Sequence, residues 1–165
     1  MAIDEIQLGV LIDRHAAALE LFARQWTDLA ADVVQEAFLQ LVRQSVVPND
    51  IAAWLYRVVR NRAISESRAA QRRRKHERAS RTNPSSWFES SPESKLDEEV
   101  VAEAIRLLPE SVREVVVAHL WGGLTFEQIG EVTGTSSSTA HRRYLHGING
   151  LRNLLKIPVS EREIS

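Results

Sequence analysis

Apolar side chains that recur every three or four residues are the feature that most limits how this sequence can fold. In the first such segment, residues 8–26, they include Leu19, Phe22 and Trp26. This spacing places them on one face of an α-helix. The same spacing returns in residues 29–44, 51–62, 95–108, 109–121, 125–133 and 136–156. Since no segment shows the apolar–polar alternation of a strand, the sequence predicts an all-α fold.

Composition excludes several classes of protein. Cysteine is absent from the 165 residues, which excludes disulfide scaffolds, cysteine-ligated zinc and thiol catalysis. No apolar run approaches the ~20 residues of a membrane span, and the N-terminus carries acids where a signal peptide needs a basic start. The five histidines lack the local spacing of a metal site, and the sequence has no glycine-rich phosphate loop or nucleophile elbow. We therefore expect a cytoplasmic protein that is not an enzyme, with no metal, cofactor, membrane contact or small-molecule substrate.

A segment rich in serine and proline divides the chain. Residues 79–95 show no helical period and are predicted to be a flexible linker between two small helical domains, residues 1–78 and 96–165. Trp87 and Phe88 lie within this linker. Two aromatic side chains are costly to leave in water, so we expect them to dock against a domain or a partner.

Residues 125–146 show the pattern of a helix-turn-helix. Thr125 and Gln128 have the spacing of a capping box at the start of a short helix. Gly130 would let the two helices cross closely, and Gly134 suits the left-handed conformation of a tight turn. The outward face of the second helix carries donors suited to phosphates and base edges, namely Ser137, Ser138, Thr139, His141, Arg142, Arg143 and His146. The alternative interpretation is two packed helices with a polar surface.

A basic block follows the third predicted helix. Residues 57–81 contain ten basic and two acidic side chains, a net charge of +8 in a chain whose total is −1. Nine of the ten are arginine, which favours forked contacts to phosphates or guanine. Such a helix can follow a nucleic-acid backbone and release counterions as it binds. A solvated helix end is the alternative.

Several stretches resemble bacterial RNA polymerase sigma factors. DVVQEAFL at residues 32–39 and WLYRVVRNRAI at residues 54–64, followed by the arginine-rich end, resemble their promoter-melting domain. LPESVREV at residues 108–115, GLTFEQIG at residues 123–130 and TAHRR at residues 139–143 resemble their C-terminal domain. Two domains with a short linker, and nothing before or between them, is the layout of the extracytoplasmic-function (ECF) group of the sigma-70 family. The resemblance implies a factor that binds core RNA polymerase and directs promoter recognition and transcription initiation.

The resemblance also implies roles for individual residues of the first domain. In such proteins the helix that corresponds to residues 32–39 docks on the clamp helices of the largest polymerase subunit. The residues implied here are Asp32, Gln35, Glu36 and Leu39. The helix that corresponds to residues 54–64 contacts the melted −10 element, and the basic residues after it hold phosphates. The residues implied here are Arg57, Arg60 and Asn61 for the element and Arg68, Arg72, Arg73 and Arg74 for phosphates.

In the second domain, the resemblance implies that the second helix of the helix-turn-helix reads the −35 element. Ser137, Ser138, His141, Arg142 and His146 are implied as readers, and Thr139 and Arg143 as backbone contacts. A further set is expected to meet the polymerase flap or to belong to the core, namely Leu107, Leu108, Val112 and Val116. An anti-sigma protein is another candidate partner, and the linker around Trp87 is either its binding site or a segment that tracks through the polymerase.

Two features depart from the family pattern. The loop at residues 45–50 is shorter than the family's usual loop, which captures a flipped −10 base. His141 and His146 stand where relatives often carry arginine or lysine. Two other functions therefore stay open from sequence. A free-standing helix-turn-helix regulator would leave the basic block unexplained, and a sigma-like decoy that sequesters a partner would fit the short loop.

Overall fold

The structure, a computed structural model, describes residues 2–77 and 95–156, and within these ranges all regular secondary structure is α-helical. The helices are α1 (Glu5–Ala23), α2 (Ala30–Val42), α3 (Ile51–Glu77), α4 (Lys95–Arg106), α5 (Glu110–Leu120), α6 (Phe126–Thr133) and α7 (Ser137–Leu155). The predicted all-α fold is confirmed. Trp87 and Phe88, with nearly all of the predicted linker, lie outside the described residues.

Helices α1 to α3 form the first helical group. Asp50 caps α3, since its Oδ1 accepts a hydrogen bond from the backbone N–H of Ala53 at 3.0 Å. Sequence analysis gave Trp26 and Trp54 as core anchors beside Phe38, but both tryptophans are only half-buried. Phe38 is buried. The largest fully buried side chains of this group are instead Tyr56, Phe22, Leu19, Leu41 and Leu55.

Helices α4 to α7 form the second group, with Ile105, Val115 and Ile129 in its core. The expected flap contacts divide between core and surface. Leu108, Val112 and Val116 are buried and belong to the core, whereas Leu107 is 63% exposed. The apolar face of α5 is therefore covered largely by the chain's own helices.

The helix-turn-helix of α6 and α7 is built as the sequence predicts. Thr125 and Gln128 form a reciprocal capping box at the start of α6. Gly134 ends α6 with φ 74° and ψ 30°, a left-handed conformation that glycine adopts without steric cost. At Gly130, a Cβ atom would lie 2.6 Å from the carbonyl oxygen of Thr135, so the turn requires a residue without a side chain there.

The two helical groups pack directly against each other. α3 lies against α6, and α1 lies against α5. At their junction, the ring of Tyr56 lies 5.1 Å from that of Phe22, and its hydroxyl reaches Gly122 in the turn after α5. The predicted DNA-binding helix α3 therefore has one face turned toward the helix-turn-helix domain.

Candidate nucleic-acid interface

The basic block forms an exposed ridge along α3. Arg57, Asn61, Arg68 and Arg72 are exposed. At about 100° of rotation per residue they fall within an arc of roughly 60°, so they share one face of the helix. Arg73 and Arg74, also exposed, follow around the helix near its end. The ridge presents guanidinium groups in a row, as binding to a nucleic-acid backbone requires.

Arg60 does not share this exposure. Its Nε donates a hydrogen bond of 2.7 Å to Oε2 of Glu114 on α5, and its Nη2 donates one of 3.3 Å to Oε1. The Arg60 side chain is 22% exposed and that of Glu114 only 4%. This forked ion pair joins the two helical groups and occupies the donors that the sequence assigned to DNA.

Sequence reasoning missed Glu114. The one local signal was a carboxylate within a run of valines, at residues 112–117. Glu114 is 3% exposed and is the buried charged residue of the described chain. Buried charges require a partner, so this position called for a cation from elsewhere in the fold. Spacing along the sequence does not identify that cation, because Arg60 lies 54 residues away.

Three more polar contacts cross the same interface. Nε2 of Gln128 donates to both carboxylate oxygens of Asp50, at 3.3 and 3.1 Å. Nε1 of Trp26 donates to Oε1 of Glu110 at 2.8 Å. The remaining contact is a hydrogen bond of 3.2 Å from Nε of Arg113 to Oε1 of Gln25.

The pKa values of two groups at this interface are shifted by their burial. Burial raises the pKa of Tyr56 well above its usual range. Burial also lowers the pKa of Arg113, while the neighbouring carboxylates of Glu110 and Glu114 act in the opposite direction. The Tyr56 hydroxyl is buried without a hydrogen-bond partner.

The second helix of the helix-turn-helix leaves its N-terminal side open. Ser137, Ser138, His141, Arg142 and His146 are exposed, and Thr139 and Arg143 are half-buried. Ser136 caps the helix by accepting a hydrogen bond of 3.1 Å from the N–H of Thr139. All seven residues that the sequence singled out therefore lie on α7 near a free helix N-terminus, a favourable place for a phosphate.

An aromatic cluster fixes this helix to α6. The ring of His119 stacks on Phe126 with centroids 4.5 Å apart and meets Tyr144 edge-on at 4.7 Å. His141 lies 4.8 Å from Phe126 with its ring tilted by 44°. One predicted DNA-reading residue is thus oriented by contact with the first helix of the motif.

The candidate polymerase face on α2 is exposed. Asp32, Gln35 and Leu39 are exposed, and their spacing of three and four residues places them on one side of the helix. Glu36 is half-buried and lies 3.9 Å from both Arg43 and Arg62. Contacts of that length between exposed groups are weak, so the Glu36 carboxylate remains available.

Searches for other kinds of site gave little. Within residues 2–77 and 95–156, no group of three or more histidine or acidic side chains could hold a metal ion. Nor is any helix in those ranges both long enough and apolar enough to cross a membrane.

Comparison with known proteins gives two family matches and a relative. The pattern described as Sigma-70 region 2 matches residues 11–73, and that described as Sigma-70, region 4 matches residues 98–148. The ECF RNA polymerase sigma factor SigL of Mycobacterium tuberculosis is 31% identical over 159 residues. That alignment covers 90% of this chain and 89% of the relative.

Two solved structures share the fold. The sigma factor RpoE of Bartonella quintana, in complex with the anti-sigma factor NepR, superposes with a TM-score of 0.76 and 22% identity over 92% of this chain and 97% of that one. CnrH, in complex with the cytosolic domain of CnrY, gives a TM-score of 0.66 and 22% identity over 94% and 92%.

Proposed function

Because the chain belongs to the ECF sigma factors of the sigma-70 family, and so directs promoter recognition and transcription initiation, we propose how its residues divide that work. Asp32, Gln35, Glu36 and Leu39 on α2 bind the clamp helices of core RNA polymerase. The ridge on α3 binds the −10 element, and the exposed face of α7 binds the −35 element. Residues 1–78 and 96–165 act as the two domains, with 79–95 between them.

The observation that carries this proposal is that the three residue sets lie on three different helices and keep most of their members exposed. A polymerase subunit can therefore cover α2 without covering the α3 ridge. The acidic and apolar mixture on α2 suits a protein partner, while the arginines and asparagine on α3 suit nucleic acid.

Contacts to the −10 element divide by chemistry. Arg57, Arg60 and Asn61 carry the donors for bases, and Arg68 and Arg72 to Arg74 hold phosphates. At the −35 element, Ser137, Ser138, His141, Arg142 and His146 reach base edges, whereas Thr139 and Arg143 hold the backbone. Leu107 is the member of the flap set that is open to the polymerase.

We also propose that an anti-sigma protein binds this chain in the cytoplasm, where it meets the polymerase. Support comes from RpoE and CnrH, both solved with an anti-sigma protein or its cytosolic domain, CnrY in the second case. The chain itself carries no catalytic group in this scheme. Nucleotide chemistry belongs to the polymerase.

The deciding experiment is co-elution of the full chain with core bacterial RNA polymerase, followed by transcription from a pool of genomic fragments. We expect stable co-elution and discrete start sites. Co-elution without initiation would instead favour a decoy, and salt-sensitive duplex binding without co-elution a free-standing regulator.

Matched variants assign the surfaces. Asp32→Ala should weaken co-elution about tenfold or more, whereas Asp13→Ala, the same change on an exposed part of α1, should not. Arg142→Gln should lower affinity for the −35 element by about tenfold, the value of one good base contact. Its control is Lys156→Gln, which removes the same charge at the far end of the same helix.

A further inference from the structure

Glu114 holds Arg60 in a way that excludes DNA. The carboxylate presents two oxygens to two nitrogens of one guanidinium, at 2.7 and 3.3 Å. Phosphates and the guanine edge engage the same fork of donors. One guanidinium cannot hold both, so Arg60 binds either Glu114 or the promoter.

The packed arrangement also cannot reach both promoter elements. Elements centred at −10 and −35 are about 25 base pairs apart, or about 85 Å of duplex. Gln128 touches Asp50, and only nine residues separate Gln128 from Ser137, about 31 Å even if fully extended. Asn61 lies about 17 Å along α3 from Asp50. Allowing about 10 Å for the Asp50–Gln128 contact, the base-reading parts of α3 and α7 stay within roughly 60 Å of each other.

The interface is built from groups that keep partners when it opens. Asp50 caps α3, and Gln128 closes the capping box of α6, whether or not the two touch. Glu114, buried only because the domains meet, would return to water on separation. The Tyr56 hydroxyl has no partner in the packed form and would gain one from water. Each of these features lowers the cost of separating the domains.

We propose that the free sigma factor is self-inhibited, with Glu114 on α5 occupying the −10-reading residue Arg60, and that the domains must separate along this interface before the chain engages a promoter. This inference rests on the proposed function, since it takes Arg60 as a promoter contact. The partner that Glu114 replaces is a promoter phosphate or guanine edge.

The test uses two variants of the full chain that weaken the interface without removing a DNA contact. Glu114→Gln removes the buried charge but keeps the shape of the side chain. Gln128→Glu places a carboxylate against Asp50 and keeps the capping box, since glutamate serves at that position as glutamine does. Glu103→Gln is the control, because it makes the same change on an exposed part of α4.

Separation is measured by energy transfer between dyes. The chain has no cysteine, so cysteines introduced at the exposed positions Ala17 on α1 and Asn153 on α7 are the only attachment points. We expect high transfer efficiency in the parent chain and in Glu103→Gln. Efficiency should fall in Glu114→Gln and in Gln128→Glu, and also when core polymerase binds the parent chain.

Release of Arg60 is measured by binding to a labelled single-stranded DNA of about 25 nucleotides and mixed sequence across a salt series. Both opening variants should bind about tenfold more tightly than the control, the scale of a hydrogen bond to a charged group. Their plot of log affinity against log salt should steepen by about 0.7 for the one phosphate gained. Equal transfer efficiency and equal DNA affinity in the opening variants and in Glu103→Gln would overturn the proposal.

Failure of the proposed function gives a different result. Arg60→Ala in the assembled holoenzyme should abolish transcription from promoters that the parent chain uses. Unchanged transcription would overturn the assignment of Arg60 to the promoter, and the self-inhibition with it. Lost transcription, together with opening variants that match Glu103→Gln, would overturn self-inhibition alone.

Discussion

Replacing Tyr56 with phenylalanine should stabilise the protein. The Tyr56 side chain is 1% exposed, and its hydroxyl has no hydrogen-bond partner. Leaving a buried hydroxyl unpaired costs about 1–3 kcal/mol, and most of that cost disappears when the oxygen is removed. Tyr56→Phe keeps the ring that packs 5.1 Å from Phe22. We therefore expect the free energy of unfolding to rise by about 1–2 kcal/mol.

The same change should favour domain closure. The Tyr56 hydroxyl lies against Gly122, where a Cβ atom would come within 2.5 Å of it, so the unpaired oxygen belongs to the interdomain junction. A gain of 1–2 kcal/mol confined to the closed form multiplies the ratio of closed to open molecules by about 5–30. Tyr56→Phe should then oppose Glu114→Gln, with higher energy transfer and weaker binding to single-stranded DNA.

Urea denaturation followed by circular dichroism measures the first effect, and dye-to-dye energy transfer the second. Tyr144→Phe is the matched control, because it removes the same atom from the chain's other tyrosine, which is half-buried on α7. It should move neither quantity in the stabilising direction. A Tyr56→Phe protein that unfolds more easily than its parent would refute the reasoning, because that result requires a hydrogen-bonded hydroxyl.

Three further perturbations follow from the structure. Gly147→Ala would drive a Cβ atom into Val116, so overpacking should cost about 1–3 kcal/mol of unfolding free energy in urea denaturation. Burial, with the charge of Arg14, lowers the pKa of His15, so the unfolded chain binds that proton more readily. Stability should be complete above pH 6.5 and fall below it, with a shallower pH dependence in His15→Gln. Imidazole gains charge between about pH 7.5 and 6, so promoter-duplex affinity should rise over that range in the parent chain and change less in His141→Ala.

Local features of this fold were predictable because their causes are local. The capping box of Thr125 and Gln128, the cap at Asp50 and the left-handed Gly134 each depend on residues within a few positions of one another. Helix spacing likewise follows from one segment at a time. The exposure of Arg57 and Arg142 also agrees with prediction, since long basic side chains remain in water unless a partner is supplied.

The interdomain contacts were not predictable, because their partners are distant in sequence. Arg60 and Glu114 lie 54 residues apart, and Asp50 and Gln128 lie 78 apart. The same limit explains the error over Val112 and Val116. An apolar helix face shows that something covers it, but not whether that cover is another helix of the chain or a partner protein.

Closure of the chain withholds base reading more than it withholds attraction to DNA. The ion pair with Glu114 occupies Arg60, while Arg57, Arg68 and Arg72 remain exposed on the ridge. A free chain should therefore still bind nucleic acid weakly and with strong salt dependence, because exposed arginines alone supply that binding. Promoter reading requires the additional guanidinium beside the ridge, which becomes available only when the domains separate. On this argument, opening by the polymerase adds specificity to a surface that already has affinity.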